Sequence, residues 1–208
     1  MKLYFCKQIL TYIMRQKTEI RQEQIKQAVL DIIYTDGLKS LSTRALAIRT
    51  GISEGTIFRH FASKQDIAIA IIRDVQNEFI EILRTIVLSK KSPVDRLHEF
   101  LCTTVHYLQV HKGITLLLFT EASHNNDDAM KQHLKQIFNS QKVLMSKIIY
   151  DGVSSGIWDE KVTIEDALML YMSIPVSLNM DIIMNSEEYM VNSYCDKTLD
   201  ILLKMLHN

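Results

Sequence analysis

Residues 41–67 read LSTRALAIRTGISEGTIFRHFASKQDI, and this stretch leaves few folds open. Ser42 is placed to cap a helix N-terminus, where its hydroxyl can accept from a first-turn backbone N–H. Gly51 closes that helix in a left-handed conformation that side chains resist. Ile52 fills the turn. Ser53 caps a second short helix over Glu54–Phe61, and Glu54 complements the positive end of its dipole. Ser63–Asp66 form an S-x-x-D capping box that opens a third helix. Two short helices joined by a glycine-containing turn make a helix-turn-helix. Helices this short are marginal alone. Leu46, Ile52, Ile57 and Phe61 can clamp them, with Ile57 and Phe61 four apart and so on one face. Glu54, Gly55, Thr56, Phe58, Arg59 and His60 are left toward solvent. An anchored helix presenting threonine, arginine, histidine and an aromatic fits the major groove of DNA. Gly55 lets the backbone approach the duplex closely. Thr43, Arg44 and Lys64 flank the helix within reach of phosphates.

The rest of the chain also reads as helix. Ile25, Ala28, Val29, Ile32 and Ile33 follow i, i+3, i+4, i+7, i+8, which predicts an amphipathic helix from about Thr18, ended by Gly37. A stripe from Ile69 through Ile72, Val75, Phe79, Ile82, Leu83 and Ile86 carries one long helix over 64–88. Pro93 suits the first turn of a helix over Val94–His111, which Gly113 divides from Ile114–Ala122. A helix from Asp127 or Asp128 to about Val153 follows, then one over 164–184 capped by Thr163, and a last one over Tyr194–Leu206. Only six glycines and two prolines interrupt 208 residues, and strand signals are nearly absent. The fold class is therefore all-α. An N-terminal three-helix helix-turn-helix domain spans 14–66, and a helical domain spans 67–208. Residues 1–13 fit neither, so Met14 rather than Met1 is the expected native start, with an upstream extension or frayed helix before it.

Net charge is zero, but its distribution is uneven. Residues 1–66 hold 11 Lys and Arg against 6 Asp and Glu, a net of +5, and the remainder carries −5. A basic front and an acidic rear suggest that only the front meets a polyanion. Cys6, Cys102 and Cys195 are odd in number and far apart, with no CxxC pair and no metal-ligand spacing. They read as small apolar fillers of a reduced, cytoplasmic chain, with no metal or cofactor. No convincing signal peptide is present. The longest uncharged stretch, Ala167–Met180, is too short to span a bilayer and contains Pro175, so it reads as a buried helix.

The string Thr43-Arg44, Leu46-Ala47, Gly51-Ile52-Ser53, Gly55-Thr56, Phe58, His60-Phe61 and Ser63-Lys64 resembles the DNA-binding segment of the TetR/AcrR family of bacterial regulators. The match is specific over roughly residues 18–70 and looser beyond, where the helix count and the KGITLLLF…GIW pattern look similar. The resemblance implies phosphate contacts from Thr43 and Lys64. It places Thr56, Phe58, Arg59 and His60 in or beside the major groove. Arg59 is the candidate for bidentate guanine reading, against a phosphate contact or a surface salt bridge. Phe58 departs from the family, which usually has tyrosine there with its hydroxyl on a phosphate.

One short reading helix makes few contacts, so two copies on a palindrome are expected. The resemblance puts dimerisation on the last two helices, where Ile174, Leu178, Leu199, Leu202 and Leu206 are the interface candidates, against an ordinary intramolecular core. It puts a pocket for a small apolar effector among the intervening helices. Thr104, Tyr107, Leu108, Phe119, Met145 and Tyr171 are its candidate lining, with His106, His124 and Asn179 as further polar candidates. Five methionines, Met169, Met172, Met180, Met184 and Met190, suit either a varied apolar ligand or a core. The implied function is a ligand-responsive repressor that binds operator DNA as a homodimer. To lower occupancy 100-fold, the effector must favour the wrong state by about 2.7 kcal/mol. A DNA-binding structural or interaction protein without an effector is the alternative. An enzyme is not expected, since HExxH, GxSxG and a phosphate-binding glycine loop are missing.

Overall fold

Start and stop signals set the front elements. The structure, a computed structural model, describes residues 2–123, 128–161, 163–185 and 191–207, with side chains over 18–121, 130–161, 163–178, 180 and 193–207. Helix α1 runs Lys2–Asp36, so it starts well before the expected Thr18, and no glycine or proline lies within it to stop it earlier. The side chain of Met14 lies outside the described residues. Gly37 ends α1 at a φ of 79°. Helix α2 (Thr43–Thr50) is capped by Ser42, whose hydroxyl accepts from the Ala45 N–H at 3.1 Å. Gly51 closes it in the left-handed region at a φ of 69°. Helix α3 (Glu54–His60) is capped by Ser53, which accepts from Thr56 at 3.2 Å. Ser63 accepts from Asp66 at 3.1 Å and opens α4 (Lys64–Asp74).

Two compact units divide the chain after Ile71. The expected boundary, at 66/67, falls in the first turn of α4, and the observed one lies further along the same helix. The buried Ile67, Ala68 and Ile71 therefore belong to the front unit. In that unit Ile25, Ala28, Val29, Ile32 and Ile33 of α1 are all buried, as are Leu46, Ile57 and Phe61. Each fully buried aliphatic side chain contributes roughly 1.5–3 kcal/mol. The amide of Gln22 donates to the His60 carbonyl at 3.3 Å and ties α1 to the end of α3.

The rear unit begins with the rest of α4. The expected long helix is interrupted by a π-turn over Val75–Phe79, and α5 (Ile80–Val87) continues it. Ser92 caps α6 (Pro93–Val110) with Pro93 in its first turn. Helices α7 (Ile114–Ser123), α8 (Asp128–Ser154), α9 (Ile164–Asn185) and α10 (Val191–Leu206) follow. Helix α6 is the centre: Leu97, Phe100, Leu101 and Val105 are fully buried, and α5, α8, α9 and α10 all pack on it.

Arg96 of α6 is buried and donates to the Val87 carbonyl at 2.8 Å and to Asp151 of α8 at 2.9 Å. Burial alone would raise the Asp151 carboxyl. Hydrogen bonds from Arg96 and Lys147, and their charges, outweigh it and hold the group below its ordinary value. Trp158 is buried, with its indole ring packed against Gly152. A Cβ at Gly152 would sit 2.0 Å from the indole ring, so no side chain fits there. No described helix is long and apolar enough to cross a membrane.

The cysteine expectation needs correcting. Cys102 of α6 and Cys195 of α10 are 93 residues apart in sequence, yet their Cα atoms stand 5.1 Å apart and the sulfurs form a disulfide. Packing of α10 along α6 brings them together, which no linear spacing could show.

Candidate nucleic-acid interface and effector cavity

The front unit presents its polar face on α3. Ile57 is 1% exposed and Phe58 is 50% exposed, so adjacent residues on this helix separate clamp from contact. Gly55 and Arg59 are exposed, and Thr56 and His60 are half-buried. The Arg59 guanidinium donates to the Thr56 hydroxyl at 3.0 Å, and that hydroxyl also pairs with Ser53 at 2.9 Å. This short chain orients Arg59 without neutralising it. A guanidinium held on a hydroxyl keeps donors for a base edge or a phosphate. Thr43 is half-buried in the first turn of α2, while Arg44 and Lys64 are exposed and make no ion pair among the described residues. By contrast, Arg49 is bound to Asp36 at 2.6 Å. The surface around α3 thus carries unneutralised arginine and lysine charge, as binding a polyanion requires.

The rear unit encloses a cavity of about 230 Å³. Its walls come from the π-turn (Val75, Phe79), α6 (Thr104, Tyr107, Leu108), α7 (Ile114, Thr115, Leu118, Phe119), α8 (Leu134, Ile137, Phe138, Gln141) and α9 (Met172, Pro175, Val176). Four expected residues therefore line it: Thr104, Tyr107, Leu108 and Phe119. Met145 and Tyr171 do not. Met145 is fully buried in the core, and Tyr171 stands behind the wall. The Tyr171 hydroxyl pairs with Thr104 at 3.1 Å and donates to Gln141 at 2.6 Å. Burial pushes its phenol well above the ordinary value, against a smaller lowering by Thr104, so the group stays a neutral donor. Tyr107 stacks on Phe79 with ring centroids 4.3 Å apart. The Thr115 hydroxyl is buried with no hydrogen-bond partner among the described residues.

Sequence reasoning missed the α8 wall and the π-turn. Leu134, Ile137, Phe138 and Gln141 do fall on one helical face, but periodicity cannot tell a face lining a cavity from one filling a core. An outer depression shares Leu134, Phe138 and Met172 with the cavity and is edged by Lys131, Lys135 and Lys142 of α8. Among the methionines, Met172 lines the cavity, and Met169 and Met180 are exposed. Met190, His124 and the side chains of Met184 and Asn179 lie outside the described residues. His106 is exposed.

The interface candidates also need correction. Ile174, Leu178, Leu202 and Leu206 are at most 2% exposed, and Leu199 is half-buried. The first four serve the protomer's own core and have almost no surface left for a second copy, whereas Leu199 keeps part of its surface exposed. Among the described residues, the large exposed apolar side chains of α9 and α10 are Met169, Val176, Met180 and Ile201.

Residues 27–71 match the family described as bacterial regulatory proteins, tetR family. Over nearly its whole length the chain is similar to the fatty acid metabolism regulator protein of Bacillus subtilis, 21% identical over 195 residues, covering 94% of this chain and 100% of the relative. It is 24% identical over 136 residues to the nucleoid occlusion factor SlmA of Idiomarina loihiensis, 65% of this chain and 69% of that one. Among solved structures, the transcriptional regulator FadR of Bacillus subtilis in complex with stearoyl-CoA superimposes with a TM-score of 0.69 at 20% identity, covering 89% of this chain and 99% of FadR. The ketosteroid regulator KstR2 of Mycobacterium tuberculosis gives 0.75 at 17% identity over 90% and 95%. These likenesses establish the fold, and the match at 27–71 falls on the capped helices built above. Residues 27–71 thus carry the domain of the bacterial regulatory proteins of the tetR family, and the chain is similar along its length to DNA-binding regulators of transcription.

Proposed function

We propose that this protein is a cytoplasmic repressor that binds a palindromic operator as a homodimer and is released by a long-chain acyl effector. The observation that carries the effector class is the apolar rear cavity continuing into a depression edged by three lysines. An acyl chain suits the inner walls, where Thr115 offers an unpaired hydroxyl. A phosphate-bearing headgroup suits Lys131, Lys135 and Lys142, which share one face of α8. The stearoyl-CoA bound in the FadR complex supports the same class. Val75 and Phe79 sit in the π-turn that follows α4 in the chain, so a bound ligand touches the segment leading out of the reading unit. Such π-turns recur at functional sites. At the DNA, Thr43, Arg44, Lys64 and the backbone at Gly55 hold phosphates. Thr56, Phe58, Arg59 and His60 face the groove, with Arg59 reading a base.

The test uses the purified full chain on a duplex selected from genomic fragments. Stearoyl-CoA is expected to release it at micromolar concentration, and a shorter acyl-CoA less well. Arg59→Ala should relax base preference at one position per half-site, whereas Lys64→Ala should weaken all duplexes alike and lower the salt slope. Binding that no acyl-CoA or free fatty acid relieves favours the effector-free reading, a structural DNA-binding factor, toward which the SlmA similarity points.

A further inference from the structure

Helices α6 and α10 bring together a side-chain cluster that the regulator function does not use. His98 and Cys102 are four residues apart on α6, so they stack on one face. Cys195 comes from α10. One ring nitrogen of His98 and the two sulfurs all lie within 4.8 Å of one another. His98 and Cys102 are half-buried, which leaves a way in, and Cys195 is buried, which shields the site from water. The Nε2 of His98 pairs with the Asp196 carboxylate at 3.1 Å. A carboxylate on one nitrogen fixes the ring and raises the basicity of the other, an arrangement that accompanies metal-ligating histidines. Two thiolates and an imidazole are the donors that borderline, tetrahedral cations take, with a fourth position left for water.

We propose that the dithiol form of this chain binds one zinc-class divalent cation through His98, Cys102 and Cys195, with Asp196 orienting the histidine. Binding forms two sulfur–metal bonds and releases the two thiol protons. The disulfide form has no thiolate to give, so the oxidised chain does not take the metal. The site therefore reads redox state and metal together, and in either form it ties α10 to the helix that carries Thr104, Tyr107 and Leu108 of the cavity wall.

The experiment uses the full-length Cys6→Ser chain, so that only Cys102 and Cys195 remain. The disulfide is opened with a water-soluble phosphine, which takes up the oxygen of one water as the sulfur–sulfur bond breaks and both sulfurs become thiols. Zn²⁺ alone is then titrated against a chromophoric chelator, and Co²⁺ is used as a spectroscopic probe. The expected result is one ion per chain and a thiolate-to-cobalt charge-transfer band. The unreduced chain should show neither. His98→Ala, at a half-exposed position, should weaken binding about 100-fold, and Asp196→Asn about tenfold, with helix content and DNA binding unchanged. Metal uptake that is equal before and after reduction, or unchanged in His98→Ala, overturns the proposal. So does a reduced chain that takes up no zinc.

Discussion

The caps that start the short front helices are local, whereas the polar ties between the rear helices join residues far apart in the chain. Ser42, Ser53 and Ser63 each accept from a backbone N–H three residues ahead. Among the rear contacts, Arg96 reaches Asp151 across 55 residues, Tyr171 reaches Gln141 across 30 and Thr104 across 67, and Cys102 meets Cys195 across 93. A capped, clamped reading head is built from neighbours in sequence. A ligand-sized space cannot be, because its walls must come from helices that meet only after folding. The reading surface is thus set by a short string, while the cavity is set by the mutual packing of α6, α7, α8 and α9.

The largest expected break in this contrast is Ile57→Ala. It removes the clamp beneath α3 and should cost about 3 kcal/mol, with DNA binding lost and stearoyl-CoA binding by the rear unit retained. Denaturant unfolding and two separate titrations check this, and a parallel loss of acyl binding would show that the units are not independently built. Gly152→Ala acts on the other side. The new methyl collides with Trp158, and the expected cost is about 2 kcal/mol, read from a lower unfolding midpoint and altered tryptophan fluorescence, with DNA affinity unchanged well below the transition. Ser53→Ala removes only a local cap. It should cost about 1 kcal/mol and weaken operator binding without changing Trp158 emission. The smallest effect is a gain. Phe58→Tyr adds a hydroxyl at a position already 50% exposed. One more hydrogen bond to a phosphate, worth about 1 kcal/mol, should tighten DNA binding roughly fivefold and leave stability unmoved.

Particular residues show where reading the chain in one dimension succeeds. Ile25, Ala28, Val29, Ile32 and Ile33 repeat at the helical period and are all buried. Gly51 had to be left-handed because a helix must stop before Ser53 can start the next. The same reading failed at Tyr171. It is polar within an apolar helix, a pattern shared by a ligand anchor and by a buried hydrogen-bonded core tyrosine, and the structure places it in the second role. Ile174, Leu178, Leu202 and Leu206 failed for a related reason. A wide apolar arc has the same spacing whether it faces its own core or a partner's. The α4 stripe gave no sign of the π-turn at Val75–Phe79, because one extra residue in a helical turn leaves the apolar pattern intact on either side.

By itself the sequence determined that the chain is helical, where its short front helices start and stop, and which side of α3 is clamped and which is left toward solvent. Capping, periodicity and left-handed glycines act over three or four residues, so a linear string states them completely. Only the tertiary structure decided which faces of α6 to α9 enclose a cavity, which leucines have no surface left for a partner, and that His98, Cys102 and Cys195 share a corner. Those outcomes depend on distances between segments far apart in the chain, and such distances exist only once the helices have packed.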